Sequence, residues 1–375
     1  MNFDLDEQTA AVADLAGQIF GDLATTERVK EIEGQGTYDL KLWSALADAG
    51  LVGVCLPEAV GGSDLGMVEL AVMLEQQGQH VAPVPLAQTV LGAMTIAEHL
   101  PGWHGRLPSV VSGENIVTLA LSDYGSNDGL APGITAEPTD DGRYRIVGDK
   151  PAVPYAEDAA AVLASVRIIA NSADPGSSVN GLVLIDLPSD GVSTQPVSTT
   201  NHQPQSNLSI DVVVGADRVC VNPDVLPQLH VRNLVATAAI QMGVCAGALA
   251  QVASYVSTRE QFGRPLAAFQ AVKHRAADGW ITTEAVRTTA LNAAWKLDST
   301  DDYAVDVASA AYWASEGTQE VVLAAQHLHG GIGSDIDYPV HRYFLWGMQL
   351  ANANGSASSH LAHLGRLVAS DSGGN

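Results

Sequence analysis

The sequence predicts an α+β protein with an all-α N-terminal domain, a middle antiparallel β-domain and a C-terminal four-helix bundle. Three observations predict this order. Apolar residues recur at helical spacing near the N-terminus, short β-rich runs fill the middle, and long helical patterns return afterwards. The predicted domains are 1–113, 114–222 and 223–375, within the usual size range for a chain of 375 residues.

The N-terminal segment is predicted to be a series of helices. The run LVGVCLPEAVGG at 51–62 closes on Pro and Gly residues and predicts a turn. Further helices are predicted at about 66–78 and 86–99, with Pro83 and Pro85 breaking the chain between them. The first helix places five apolar residues at three- and four-residue spacings, which predicts one buried face: Leu5, Val12, Leu15, Ile19 and Leu23.

The middle segment alternates β-rich runs with clusters of Gly, Pro, Asn and Ser, the pattern of an antiparallel β-domain. The five runs are IVTLAL, RYRIVG, AAVLASVRII, GLVLIDL and LSIDVVV.

After Pro227 two long helical seams follow, and both suit a bundle with close helix contacts because many of their residues are small. The first seam is Val231, Val235, Ala238, Met242, Cys245, Leu249, Val252 and Val256; the second is Val307, Ala311, Ala314, Thr318, Val321, Ala325 and Leu328.

Composition excludes several classes of function. A net charge of −24 argues against nucleic acid or an anionic membrane as a general partner. Cys55, Cys220 and Cys245 are far apart and lack C-x-x-C spacing, which argues against a disulfide framework or a cysteine zinc site. The first residues are acidic where a signal peptide would be basic, and we expect no membrane span. The predicted location is the cytoplasm.

Four stretches carry a family resemblance, and together they cover nearly the whole chain. They are LWSALADAGLVGVCLPEAVGG (42–62), RIVGDKPAVPYAEDA (145–159), REQFGRPLAAFQAVKH (259–274) and HLHGGIGSDIDYPVHRY (327–343). In this order they resemble the acyl-CoA dehydrogenase family. The resemblance implies FAD as cofactor, an acyl-CoA thioester as substrate and an electron-transferring flavoprotein as electron acceptor.

The third stretch carries residues suited to the FAD diphosphate. A guanidinium such as that of Arg259 binds diphosphate oxygens by charge-assisted, often bidentate hydrogen bonds. Phe262 offers an apolar surface beside it, and Gln261 and Gln270 offer amides. Four further cations keep this region basic within an acidic chain: Arg264, Lys273, Arg275 and Arg287. The structural alternative is an ordinary solvated helix end.

The fourth stretch contains Gly330, Gly331 and Gly333, where backbone can approach a ligand closely. The resemblance implies that this turn meets the flavin diphosphate of a neighbouring subunit; the alternative is a helix C-cap followed by a turn. His327 stands where the family has Gln. Ser356, after Gly355, stands where the family has the Thr of a Gly-Thr pair that touches the flavin.

The resemblance places Asp337 where many family members have the Glu that removes the substrate α-proton. Aspartate is shorter by one bond of about 1.5 Å, and misplacing a catalytic group by about 1 Å costs roughly 100-fold in rate. Asp337 is therefore either the base or a cap for a helix beginning at Pro339. Other family members carry the base at a position matching the neighbourhood of Asn233, which cannot serve.

Other flavin-facing features of the family are missing. The Thr-Glu-Pro-type loop appears only as residues 121–125, LSDYG, and the Trp and Ser/Thr expected after Lys150 are Ala152 and Pro154. Pro154 has neither an N–H nor a hydroxyl to donate. This uneven loss is similar to the smaller subunits of actinobacterial heteromeric acyl-CoA dehydrogenases that act on steroid side chains. That resemblance implies an α2β2 assembly in which a partner supplies the base and most of the flavin pocket.

Three alternatives stay open at this point. One is a self-sufficient homotetramer that uses Asp337 as its base. Another is a non-catalytic structural or acyl-CoA-binding subunit. The last is a metal site built from His327, His329 and His341 with Asp335 or Asp337, although residues two apart on a helix face different directions.

Overall fold

The computed structural model describes residues 5–125, 129–169 and 178–372. Its helices are α1 (Glu7–Leu23), α2 (Thr26–Gln35), α3 (Leu40–Asp48), α4 (Met67–Gln79), α5 (Leu86–His99), α6 (Leu107–Val111), α7 (Val225–Thr258), α8 (Gln270–Ser299), α9 (Ala304–His329), α10 (Val340–Ala353) and α11 (Ala357–Ser372). Its strands are β1 (Val117–Ala120), β2 (Thr135–Pro138), β3 (Tyr144–Pro154), β4 (Ala161–Ile169), β5 (Ser178–Asp186), β6 (Val192–Val197), β7 (Gln205–Val214), β8 (Val219–Cys220), β9 (Glu260–Gln261) and β10 (Arg264–Pro265).

The chain divides into two compact units. The helical unit contains Met1–Glu31, Met67–Ala82 and Leu234–Asn375, and the sheet unit contains Ile32–Gly66 and Pro83–Asn233. Helices of the N-terminal segment are therefore shared between the two units. The division into domains 1–113, 114–222 and 223–375 remains a prediction along the sequence.

The helical unit is organised around the α8–α9 pair, against which α10 and α11 pack through α9, and α4 packs through α8. The close approach of α4 and α7 requires a glycine on each helix. A Cβ added at Gly243 would lie 1.9 Å from the Glu75 carbonyl oxygen on α4, and one added at Gly78 would lie 1.9 Å from the Ile240 carbonyl oxygen on α7. The bundle predicted from the seams is present, with α11 as an additional helix.

The buried face of α1 differs from the predicted one. Its buried residues are Thr9, Ala16 and Phe20, whereas Leu15 is 40% exposed. The contact with α4 is made through small residues, because the position of a Cβ on Gly17 lies 3.4 Å from the Gln76 side chain. A close contact at Gly17 leaves no room for a branched side chain there, and the predicted residues Val12, Ile19 and Leu23 are only half-buried.

The sheet unit holds an eight-stranded sheet in the order β6-β7-β3-β2-β4-β5-β8, with β1 also paired to β4. Most pairs are antiparallel as predicted, but the sheet is mixed, because β1 and β2 both run parallel to β4. Ala136, Ile146, Val162, Val183 and Leu208 belong to its buried core. The sequence did not reveal β6, whose residues VSTQPV are mostly exposed and lack an apolar alternation.

Helix α7 corrects the expectation that no stretch is apolar and long enough to cross a membrane. It has 34 residues and an 18-residue window of mean hydropathy 1.5, but 72% of that window is buried inside the fold. A core helix surrounded by other helices is apolar on all sides. The composition of α7 therefore fits a helix that is largely buried inside the fold.

Candidate functional site

Arg259 directly follows α7 and leads into a small hairpin of β9 and β10. Its backbone N–H donates to the Tyr255 carbonyl at 2.9 Å, and its carbonyl accepts from Leu266 at 2.8 Å, so both sides of its backbone are fixed. The side chain is exposed, and no ion pair joins it to a described residue. Because the backbone of Arg259 is fixed and its guanidinium has no ion pair with a described residue, the guanidinium can bind an external anion.

Phe262 and Gly263 form the two-residue turn of this hairpin, since Gln261 pairs with Arg264. Both turn residues have positive φ, 53° and 75°, as a type I′ turn requires. This conformation is uncommon for phenylalanine, and the residue is 92% exposed. The hairpin thus holds a large apolar ring mostly in solvent, with its one ring contact among the described residues at Phe269, 6.2 Å between centroids, as a contact surface for a ligand or another chain would require.

The three glycines after α9 have different roles. Gly330 has φ 64° and ψ −141°, which only glycine adopts readily. A Cβ on Gly333 would lie 3.1 Å from the Gln326 carbonyl oxygen, so packing within the chain requires that glycine. A Cβ on Gly331 would meet no described atom within 4 Å, and its φ is not positive. Nothing described in this chain requires glycine at 331, which suits the close approach of an external group.

We expect Gly331→Ala to separate binding from stability. Alanine at a compatible φ stabilises a fold by about 0.4–1 kcal/mol, whereas its methyl group would obstruct a diphosphate against the turn. The denaturation midpoint should stay level or rise while FAD affinity falls about tenfold or more. The matched control, Gly333→Ala, should lower the free energy of unfolding by about 1–3 kcal/mol through overpacking. Unchanged FAD affinity in Gly331→Ala would remove the turn from the site.

A cavity of about 320 Å³ lies between the start of α8 and the end of α9. His327, His274 and Arg275 line it together with Asp278. Gln270, the first residue of α8, is exposed directly before this lining. The structure therefore brings His327 together with His274 and Arg275, and Asp278 offsets the charge of Arg275 in the same lining.

Asp337 is paired with a cation that the sequence did not indicate. Its carboxylate accepts a hydrogen bond from Lys30 of α2 and is 71% exposed. The hydrogen bond from Lys30, and then the Lys30 charge, hold the pKa of Asp337 below its usual range. A base for an α-proton needs the opposite shift.

The alternative prediction, that Asp337 caps helix α10, is wrong. Helix α10 begins at Val340 after Pro339, with no side-chain cap from a described residue. Asp335 instead forms the local turn, because its Oδ1 accepts from the Asp337 N–H at 2.9 Å.

Ser356 lies in the link between α10 and α11. Its backbone N–H donates to Ser359 Oγ at 2.9 Å, and its Oγ is 2.9 Å from Ser358 Oγ. These bonds organise the start of α11. They leave the flavin role of Ser356 as a prediction.

In the sheet unit, two positions that the resemblance assigns to the flavin ring, Asp123 and Pro154, make hydrogen bonds within the chain. Lys150 is fully buried, and its Nζ donates to both Asp123 oxygens at 2.9 Å and to Ser165 Oγ at 2.7 Å. The Pro154 carbonyl accepts from Thr118 Oγ1. The Asp123 carboxylate is an acceptor already used by Lys150, and Pro154 has no N–H, so neither of these groups can donate to a flavin ring.

In the part of the chain that the structure describes, the histidines of the last turn of α9 and of α10 do not gather into a metal site. Among the described residues, no group of three or more His, Cys, Asp or Glu side chains is arranged to hold a metal ion. Cys55, Cys220 and Cys245 are buried and form no disulfide among the described residues.

Comparisons with known proteins place this geometry in a family. Residues 7–100 match the model of the acyl-CoA dehydrogenase N-terminal domain and residues 232–368 that of the C-terminal domain. "Acyl-CoA dehydrogenase FadE27" of Mycobacterium tuberculosis is 34% identical, over 98% of this chain and 99% of that protein. The chain belongs to the acyl-CoA dehydrogenase family. Its members are FAD-dependent oxidoreductases that act on CH–CH bonds.

Two solved structures of acyl-CoA dehydrogenases align over nearly the full length. A variant of the Tcur3481-Tcur3483 steroid ACAD is 42% identical with a TM-score of 0.90, over 99% of this chain and 100% of that one. The ChsE4-ChsE5 complex from Mycobacterium tuberculosis is 33% identical with a TM-score of 0.91, over 98% and 99%. Both are named as pairs of proteins.

The helical unit of this acyl-CoA dehydrogenase fits the diphosphate of FAD. The exposed Arg259, the unobstructed Gly331 and the cavity beside His327 supply charge, close approach and space. The sequence did not identify two supporting residues, Tyr255 and Lys30. Tyr255 precedes Arg259 by one helical turn, a spacing that could have signalled it.

Proposed function

We propose that this chain is one subunit of a heteromeric α2β2 acyl-CoA dehydrogenase that desaturates a steroid side-chain CoA thioester next to its carbonyl. The chain would contribute Arg259 and the glycine turn to a flavin enclosed mainly by a partner subunit. One observation carries the proposal: Arg259 is exposed and Gly331 is unobstructed, whereas the Asp123 carboxylate and Pro154 have no donor for a flavin ring. The assembly would work in the cytoplasm, with an electron-transferring flavoprotein as acceptor.

The chain's own residues would bind and orient the cofactor. Bound FAD supplies the acceptor for the hydride that leaves the substrate β-carbon. The Arg259 guanidinium would neutralise diphosphate charge, and Gly331 would let the backbone approach it. The α-proton would go to a base of the partner subunit, because Lys30 holds Asp337 ionised as a weak base.

Exposed apolar side chains on α8 and α9 support a partner subunit. Trp280, Ile281, Trp295 and Trp313 have exposed fractions of 38% to 61%. Large exposed apolar groups on neighbouring helices typify a protein interface. The steroid substrate is supported by the 42% identical relative named a steroid ACAD.

The proposal is tested by purifying a tagged form of this chain in two ways, alone and from its native host with whatever binds it. We expect little flavin and no acyl-CoA turnover in the chain alone. The host assembly should contain a second acyl-CoA dehydrogenase subunit, flavin and turnover with steroid side-chain CoA thioesters. Stoichiometric flavin and full turnover in the isolated chain would reject the proposal.

Asp337→Asn in this assembly is expected to leave kcat within about twofold of wild type. Loss of a general base costs about 10²–10⁴-fold, so the two outcomes are well separated. Lys30→Met is the matched variant, since it removes the same ion pair from the other side. A large loss of kcat in Asp337→Asn with flavin retained would make Asp337 the base and favour the homotetramer.

A further inference from the structure

Three aromatic rings from the segments of the proposed diphosphate site pack against one another. The His329 imidazole is buried and stacks on the Tyr255 ring, with 4.6 Å between centroids and 22° between planes. The Tyr338 ring lies 5.3 Å from His329 and 6.1 Å from Tyr255. We call these three residues the aromatic stack.

Each ring belongs to a segment that carries a predicted site residue. Tyr255 lies on the last turn of α7, and its carbonyl accepts the Arg259 N–H at 2.9 Å. His329 ends α9 and is bonded directly to Gly330. The stack therefore joins the segment that holds the guanidinium to the segment that holds the glycine turn.

The chemistry of His329 explains why histidine suits this position. Its Nδ1 donates to the Ala325 carbonyl at 2.8 Å, which satisfies a carbonyl in the last turn of α9 and fixes the ring. Burial lowers the pKa of His329, so the ring stays neutral at neutral pH and packs as a flat aromatic. Nε2 has no well-formed hydrogen bond to a described residue. The ring is thus held by the hydrogen bond to Ala325, by its interaction with the Gln251 backbone and by stacking.

We propose that Tyr255 and His329 are positioning residues that set the distance between the Arg259 guanidinium and the Gly330–Gly331 backbone. Neither touches the cofactor in this role, and the inference rests on the proposed diphosphate site. Two groups that bind one diphosphate must keep a fixed separation. The segments after α7 and α9 keep that separation only when packed side chains support them. Tyr255 and His329 provide the stacked contact between the two segments.

The test compares variants that keep and remove the stack in the tagged host assembly. His329→Leu and Tyr255→Leu should each raise the Kd for FAD about tenfold, the size of a stacked aromatic pair. His329→Phe keeps the ring and should stay within about threefold of wild type. Tyr303→Leu, at the other end of α9, should leave the Kd unchanged. If His329→Leu does not assemble, Tyr255→Leu gives the same comparison.

A double-mutant cycle distinguishes positioning from general loss of stability. If the stack acts through Arg259, adding His329→Leu to Arg259→Ala should weaken FAD binding by much less than tenfold. Independent, multiplicative effects would overturn the inference, as would His329→Phe binding as weakly as His329→Leu. If Arg259→Ala alone leaves FAD affinity unchanged, the proposed function itself fails. If Arg259→Ala weakens FAD binding but His329→Leu binds FAD as the wild type does, only this inference fails.

Discussion

Arg259→Ala is expected to weaken FAD binding by the assembly by roughly 100-fold, the largest binding effect in this chain. A bidentate charge-assisted contact contributes about 3 kcal/mol, and each 1.4 kcal/mol corresponds to about a tenfold change in Kd. The guanidinium has no ion pair with a described residue, so its removal leaves no buried charge uncompensated. Stability of the unliganded protein should therefore change little. Equilibrium dialysis, with the free and bound flavin measured by absorbance, gives the Kd for FAD.

Two matched variants sharpen this prediction. Arg259→Lys keeps the charge but loses the fork geometry, so we expect an intermediate Kd. Arg143→Ala removes an exposed arginine that pairs only locally with Asp141 and should leave FAD binding at the wild-type level. A wild-type Kd in Arg259→Ala would contradict the diphosphate assignment.

Lys150→Met is expected to destabilise the sheet unit by about 3–5 kcal/mol, the cost of leaving a buried carboxylate without its partner. Both members of the pair are buried, with side-chain exposures of 0% for Lys150 and 4% for Asp123. The loss also removes the donor to Ser165. Chemical denaturation, monitored on the purified chain, measures the difference in unfolding free energy.

The control residue for Lys150 is Arg145, which lies on the same strand, β3. Arg145 on β3 forms a two-bonded pair with Asp211 on β7, but both side chains are more than half exposed. Arg145→Ala should therefore change stability by at most about 1 kcal/mol. The double variant Lys150→Met with Asp123→Leu should recover much of the loss, because no charge remains buried. Equal effects for Lys150→Met and Arg145→Ala would contradict this account.

The helices could be predicted where local sequence decides them. Pro83 and Pro85 separate α4 from α5, and the predicted ranges 66–78 and 86–99 match Met67–Gln79 and Leu86–His99. Strand β6 could not be predicted, because an exposed edge strand needs no apolar alternation. The parallel pairing of β1 and β2 with β4 depends on the path of the chain between strands, which periodicity does not encode.

The residues of the candidate site could be predicted where several of them lie together in one short motif. Arg259, Phe262 and the glycine turn lie in two short stretches of sequence. Lys30 could not be predicted, because it meets Asp337 across 307 residues of sequence. Tyr255 and His329 are brought together only by the packing of α7 and α9, so no single stretch indicates their contact.

The most direct test is a structure of the tagged host assembly with FAD bound. The account predicts the Arg259 guanidinium within about 3 Å of diphosphate oxygens, with the Gly330–Gly331 turn against the same diphosphate and the flavin ring enclosed by a different chain. A flavin held entirely within one copy of this chain, or Arg259 in solvent far from the diphosphate, would contradict it.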